Sequence, residues 1–431
     1  MMTCWVLVGI FVTIVLIYGL IEFHYFLRMF LTVFLARYCK KRVHILDETV
    51  IYGICTTNDV DALLYHMNNA RYLRELDFAR VDFYERTDLY REVCSQGSGV
   101  VQGAATIRYR RFIKPLTIFK ITSKIVYWDE RSFFMEHRFI TPSDGFIRAI
   151  AICRQRLLNC SADTVIGALL NRRVKQNGNV EAASFFNACE TGFPETADAR
   201  TSQNHNGQSS IDREKTYIES TLFSERYADR KLTMFCSCCV AMIAILYILF
   251  DVNYFMRIIL TILWGRFFEK KKKLFDTTTI YGICTTQDVD LVLKHMNNAR
   301  YLRELDFARF YFYDRSGIYG AVLKRGGGAV QGASTIRYRR AIPIFTPYKV
   351  TTKLIYWEDK HFYIENQFIS LTDNFIRAVV LSRQTVTGLK VPVDEIIAEI
   401  EPETRRPEPT KELQLWLESI EESSQSLRKQ K

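Results

Sequence analysis

Apolar residues fall into three kinds of pattern along the chain. The first kind is continuous. Residues 5–21 (WVLVGIFVTIVLIYGLI) are apolar or nearly so, and the run continues with interruptions to Leu35. Residues 235–250 form a second such block, followed by DVNY and a further apolar stretch over 255–268. Each first block sits near the ~17–20 residue lower limit for a spanning helix. Each second block carries an arginine (Arg28, Arg257), which suits a helix lying in a membrane interface. The second kind is helical: Tyr72, Leu73, Leu76, Ala79 and Phe83 share one face of a helix expected over 69–84. Arg71 and Glu75, four apart, are expected on its surface side. The third kind is strand-like, with a short run at 51–57 and long ones at 104–113, 119–128, 132–140 and 146–155. Turn signals stand at Asp129-Glu130-Arg131 and Ser143-Asp144-Gly145. One long helix followed by an antiparallel meander predicts an α+β module whose sheet wraps the helix.

That pattern occurs twice. HMNNARYLRELDFAR runs from His66 to Arg80 and again, unaltered, from His295 to Arg309, 229 residues later. IYGICTT, VQGA, TIRYRR, YW and FIRA recur at the same spacing, and upstream Tyr25 matches Tyr254 and Arg28 matches Arg257. The duplicated unit is therefore a leader plus a module. The expected organisation is an N-terminal anchor or interfacial helix (1–42), module one (43–175), a polar linker (176–232), a second apolar segment (233–273), module two (274–390) and a helical tail (391–431).

Charge changes the picture through its position more than its total of +11. Lys40, Lys41 and Arg42 follow the first leader, and four lysines at 270–273 follow the second, which by the positive-inside rule places both modules on the cytosolic face. Two single spans would put the modules on opposite sides, so the second leader, interrupted by Asp251 and Asn253, is expected to lie in the interface or turn back. The start MMTCWVLVG has no basic residue, which favours an uncleaved anchor over a signal peptide. Secretion after signal cleavage is the alternative, with Asn159-Cys-Ser as a glycosylation sequon. The odd count of 11 cysteines argues for reduced thiols and against a disulfide framework. No phosphate-binding glycine loop, and no aromatic pattern of a nucleic-acid module, stands in the sequence, so neither nucleic acid nor a metal or cofactor is expected.

The chemistry-bearing segments are DVDALLYHMNNARYLRELDFAR (59–80) and DVDLVLKHMNNARYLRELDFAR (288–309). Thioester hydrolysis needs a carboxylate, to attack the carbonyl or activate water, and a donor for the oxyanion. Asp59, Asp61, Asp288 and Asp290 stand just before the central helices. The helix starts around Asn68, Asn69, Asn297 and Asn298 offer backbone N–H groups and a positive dipole end, though Asn69 equally suits an N-cap. His66 and His295 are placed to orient a carboxylate, to contact substrate, or to pack a turn. Asp77 suits an ion pair with Arg74 or Arg80. Arg108 and Arg110 share one strand face, either for coenzyme A phosphates or as a solvated surface.

With its D-x-D and H-x-N-N elements before a central helix, the chain resembles the hotdog-fold acyl-CoA thioesterase superfamily, and within it the sixth-member group. It departs from the family signature where Tyr65 and Lys294 replace a glycine before the histidine. The resemblance covers both modules, both leaders and the WLESIEESSQSLR tail. It implies a fatty acyl-CoA or other acyl thioester as substrate, membrane lipid as a contact, an endoplasmic reticulum location, and modules that work as dimers. The two copies are thus expected to form a pseudo-dimer within one chain, or a homo-oligomer. A non-hydrolysing acyl-binding or scaffold protein of membrane lipid homeostasis is the alternative activity.

Overall fold

A computed structural model of the chain describes residues 22–177, 249–389 and 391–429, with scattered positions in the two leaders. Residues 15–171 and 246–431 form one compact unit that holds both modules. A second unit comprises residues 1–14 and 172–245; among its described residues is Thr13, whose hydroxyl donates to the Gly9 carbonyl at 2.8 Å.

Within the larger unit, the first copy runs α1 (Phe23–Phe34), β1 (Thr49–Ile54), α2 (Asn69–Arg86), α3 (Leu89–Ser95), β2 (Val100–Tyr109), β3 (Ile118–Asp129), β4 (Ser132–Ile140), β5 (Ile147–Leu157) and α4 (Ala162–Asn177). The second repeats it as α5 (Val252–Phe268), β6 (Thr278–Ile283), α6 (Asn298–Ser316), α7 (Ile318–Lys324), β7 (Gly328–Tyr338), β8 (Pro347–Glu358), β9 (His361–Ser370), β10 (Ile376–Thr387) and α8 (Val393–Ile400), and ends in α9 (Lys411–Lys429).

The ten strands make one antiparallel sheet in the order β1-β3-β4-β5-β2-β7-β10-β9-β8-β6. The two copies join at β2 and β7. There Thr106 faces its own duplicate, Thr335, flanked by Ala105↔Ile336 and Ile107↔Ser334. The two threonine hydroxyls lie 2.7 Å apart. A residue can pair with its own copy in an antiparallel ladder only where a two-fold axis passes between them. The sequence pseudo-symmetry is therefore a spatial one.

Helix α2 starts where the Asn68 side chain accepts from Ala70 N, so the capping role falls to Asn68 rather than Asn69; Asn297 does the same for α6. The apolar face read from the sequence is buried: Tyr72, Leu73, Leu76, Ala79 and Phe83 are at most 3% exposed. Burying a leucine or phenylalanine side chain of this face is worth about 1.5–3 kcal/mol. The core formed with β-sheet residues such as Ile121, Phe139 and Ala151 is continuous across both copies and takes in Leu305 and Tyr301 of α6.

The polar face of α2 is buried as well, against the expectation of a surface side. Glu75 pairs with Arg28 of α1. Glu85 accepts from Arg37 Nη2 at 2.8 Å, and Asp82 from Lys40 Nζ at 2.5 Å. In the second copy Arg257 of α5 holds Glu304, and Arg266 holds Asp314. Each central helix thus lies between the sheet and its leader.

This docking corrects the membrane reading. Among the described residues, no helix is long and apolar enough to cross a membrane. The described parts of the leaders, α1 and α5, bury Tyr25, Met29, Tyr254 and Ile258 in the shared core and spend Arg28 and Arg257 on the central helices. An interfacial helix would have kept those arginines for solvent or lipid headgroups. The expected spanning blocks, 5–21 and 235–250, lie largely outside the described residues, as does most of the linker at 176–232. Among the described residues the fold class is therefore two hotdog-type α+β modules with no apolar membrane-anchor helix. The membrane-anchored activity, and the membrane and endoplasmic reticulum placement that rested on those anchors, thus have no spanning helix to support them among the described residues.

The outer sheet face of the second copy carries α9, whose Leu413, Trp416 and Ile420 pack on Ala333, Tyr363 and Leu381. Arg108 is drawn beneath it, donating to the Ile420 carbonyl at 3.1 Å. Arg110 and Arg111 instead stack on the Phe146 ring at 4.7 and 4.3 Å.

One duplicated position makes a testable contrast. His137 is fully buried, with Nδ1 2.8 Å from Ser123 Oγ; its counterpart in the second copy is Asn366, bonded to Thr352. Burial, and then the Arg80 charge, depress His137 to about 3. The unfolded chain binds that proton near the ordinary value of about 6.5. This contribution to stability is present above pH 6.5 and is lost as pH falls towards 3, by up to about 1.4 kcal/mol per unit. His137→Asn is expected to flatten the acid limb of stability measured by urea unfolding between pH 7 and 4. An unchanged slope would contradict the assignment.

Candidate functional site

The DVD loops sit beside the starts of the central helices, and their carboxylates brace the loop. Asp59 ends a 3-10 turn, Thr57–Asp59, where its Oδ2 accepts from Thr56 N at 2.9 Å and Thr56 Oγ1 at 2.6 Å. Its Oδ1 stands 3.7 Å from Arg71 Nε. Asp288 repeats this with Thr285 N at 2.8 Å, Thr285 Oγ1 at 2.7 Å and Arg300 Nε at 3.8 Å. Asp61 closes the next turn, accepting from Tyr65 N at 3.1 Å, with Oδ2 3.7 Å from His66 Nε2. Asp290 stands 3.5 Å from His295 Nε2, and its buried Oδ1 has no hydrogen-bond partner. His66 is stacked on Phe112 at 4.0 Å with its Nδ1 3.0 Å from the Met67 carbonyl, so one copy's histidine packs a turn. His295 keeps 41% of its side chain exposed.

Three of the amides at the start of α2 are engaged. Asn68 N donates to Asp59 O at 2.7 Å, Ala70 N to Asn68 Oδ1 at 2.8 Å, and Arg71 N to Asn68 O at 2.9 Å. The carbonyls of Asn69 and Asn298 accept from Tyr109 and Tyr338 hydroxyls at 3.0 and 2.8 Å.

Asn68 and Asn297 do something the sequence could not disclose: each reaches into the other copy. Asn68 Nδ2 donates to Asp306 Oδ2 at 2.7 Å and to Tyr254 Oη at 3.0 Å; Tyr254 Oη in turn donates to Asp306 at 3.0 Å. Across the axis, Asn297 Nδ2 donates to Asp77 Oδ2 at 2.8 Å and to Tyr25 Oη at 3.2 Å. Asp77 and Asp306 also hold Arg80 and Arg309, so the ion-pair reading of Asp77 is correct for Arg80.

A second cross-copy cluster surrounds the axis. Arg71, Arg74, Arg300 and Arg303 converge from the two central helices. The acids that precede the leader helices, Glu22 and Asp251, bridge them: Glu22 contacts Arg74 and Arg300, and Asp251 contacts Arg303 and, at 2.9 Å, Arg71. Burial, then repulsion by Arg300 and Arg303, holds Arg74 well below the usual guanidinium range. Burial also pulls Arg303 down to about 10. For Asp251 burial acts upward, but Arg303, Arg71 and Arg300 outweigh it and hold the carboxyl below its ordinary range.

Three of these arginines line a cavity of about 850 Å³. Leu27, Leu31, Tyr52, Ile54, Phe78 and Ile118 give it apolar walls. Arg71, Arg74 and Arg300 line it together with Asp59 and Glu22, while Phe250 and Asp251 enter from the second leader. Its size falls within the ~300–1,000 Å³ of small-molecule sites, and its mixture of apolar wall and few polar groups is their usual make-up. Asp59 is brought to this space; Asp61, with His66, faces its own turn. The arginines and the leader acids escaped sequence reasoning. The 229-residue recurrence of an acid before each leader helix, Glu22 and Asp251, was the available signal.

Residues 55–185 and 284–417 match the family described as the thioesterase-like superfamily. Protein THEM6 of Drosophila melanogaster is 56% identical over 192 residues, which is 44% of this chain and 98% of that protein. Protein THEM6 of Xenopus laevis is 37% identical over 197 residues, 46% of this chain and 94% of that one. Among solved structures, a putative oleoyl thioesterase from Lactobacillus plantarum matches with a TM-score of 0.45 at 10% identity, covering 79% of this chain and 96% of that one. Each match spans less than half of this chain and nearly the whole of the relative. With both halves matched and the halves joined about a two-fold axis, this chain belongs to the thioesterase-like superfamily as a tandem of two hotdog modules related to the THEM6 proteins.

Proposed function

We propose that the chain binds acyl thioesters, coenzyme A thioesters among them, in the first-copy cavity, and hydrolyses them with Asp59 as the carboxylate that activates water. The observation that carries this reading is the placement of Asp59. Of the four candidate carboxylates, it lines the apolar cavity, with one oxygen fixed by Thr56 and the other turned towards Arg71. Water attacks the thioester carbonyl while Asp59 Oδ1 takes its proton; the C–S bond then breaks, the thiolate leaves and is protonated, and a fatty acid remains. The oxyanion donors on this reading are the guanidinium groups of Arg71 and Arg300, which line the cavity together with Asp59. On this reading Asn68 and Asn297 position the two halves, Asp61 and Asp290 brace their loops with His66 and His295, and Asp288 repeats the Asp59 brace beside Arg300. No cofactor is needed.

A second reading, binding without hydrolysis, is favoured by the two hydrogen bonds that tie Asp59 into its turn. Release of free coenzyme A by the full chain, across acyl-CoA chain lengths, decides between them. Turnover above background, with a preference for long acyl chains, is expected for hydrolysis. Saturable acyl-CoA binding without release would establish the second reading.

A further inference from the structure

We propose that the arginine end of the cavity is a carboxylate subsite whose ligand is a free long-chain fatty acid. The acyl chain lies along Leu27, Leu31 and Phe78, with the carboxylate between Arg71 and Arg300. The proposal rests on the reading that this cavity receives acyl chains, and it adds a ligand that the hydrolytic reading releases as product.

Three observations and one general match of geometry support it. The cavity is lined by apolar side chains and by guanidinium groups together, a make-up that suits an amphiphile better than a neutral lipid. Arg300 lines it while 6% exposed, and its Nε is buried without a hydrogen-bond partner. That Nε stands 3.8 Å from Asp288 Oδ1, beyond hydrogen-bond reach, and an incoming acceptor satisfies it. The cluster is also already used for carboxylates: Glu22 and Asp251 are its own chain's carboxylates, held by arginines from both copies. Finally, planar guanidinium groups match carboxylates in paired, fork-like geometry better than ammonium groups do. Burial, and then repulsion by Arg300 and Arg303, depresses Arg74, and a further anion beside it acts against that repulsion. Glu22, at the mouth of the same cluster, then competes with the fatty acid for Arg74 and Arg300. Product affinity is accordingly set by an acid built into the leader.

The test compares hexadecanoate with hexadecanol on the full chain by titration calorimetry. The two share a tail and differ in the charge of the head. Hexadecanoate is expected to bind at least about tenfold more tightly, a difference of about 1.4 kcal/mol. Arg71→Gln with Arg300→Gln is expected to erase the preference while hexadecanol still binds, and Glu22→Gln to tighten hexadecanoate. Equal affinities on the unaltered chain would overturn the subsite and leave the acyl cavity standing. Failure of both ligands to bind would overturn the cavity reading and the subsite together. Hexadecanoate binding without any release of coenzyme A from thioesters would support the subsite and count against hydrolysis alone.

Discussion

Asp59→Asn is expected to lower coenzyme A release by about 10²–10⁴-fold, the span a positioned general base contributes, while acyl-chain affinity stays within a few-fold. The asparagine oxygen can still accept from Thr56 N and Thr56 Oγ1, so the turn that seats it is preserved. What is lost is the anionic oxygen near Arg71, and with it the acceptor for the water proton. Asp288→Asn is the matched control. It removes the same atoms from the same turn of the second copy, beside Arg300. An effect confined to Asp59→Asn supports the first-copy cavity as the reacting site. Equal loss in both variants would spread catalysis over both copies, and no loss in either would remove these carboxylates from the mechanism.

Asp306→Ala is expected to destabilise the two-copy unit by about 3–5 kcal/mol, the cost of leaving a buried charge without its partner. Asp306 is 3% exposed and satisfies Arg309, Asn68 and Tyr254 at once. The substitution strands a guanidinium, an amide and a phenol in a dry interface. Because Asn68 caps the first copy's helix, the damage crosses the axis. Chemical denaturation should therefore show one transition moved as a whole, with protection lost around Ala70 in hydrogen exchange. A loss confined to the second copy would show that the halves fold independently. Asp306→Asn, which keeps an acceptor for Asn68 and Tyr254, should cost less.

Much of this arrangement was legible in letters. Strand β4 was read with the bounds it has, and the Tyr72, Leu73, Leu76, Ala79 and Phe83 stripe is the core face of α2. Both signals are local, since apolar period reports burial directly. Strand β2 begins four residues before the expected start, because VVQG pairs with β5 through a bulge at Gln102/Ala104. The leaders were misread for a different reason. An apolar stretch with one arginine has the same composition whether it meets lipid or a protein groove. What distinguishes α1 is that the partner of Arg28 is Glu75, 47 residues away. Pairing over that distance leaves no periodic trace. The arginine cluster was hidden in the same way: Arg71 looked like surface charge and Arg74 like a partner for Asp77, because their partners, Asp251 and Glu22, lie in other elements. The duplication itself held the missing information, since any contact near a two-fold axis involves a residue and the neighbours of its own copy.

The central claim is that one chain closes on itself, copy against copy, and so builds its own cavity. The most direct measurement is oxidation of Thr106→Cys/Thr335→Cys, followed by disulfide mapping by mass spectrometry. These side chains face each other across the β2–β7 seam with hydroxyls 2.7 Å apart, a separation compatible with the ~3.5–4.5 Å Cβ–Cβ spacing of a disulfide. The account predicts a 106–335 link within a single chain, at the mass of one chain. A 106–335 link found only between two chains, or its absence under conditions that oxidise exposed thiols, would contradict it.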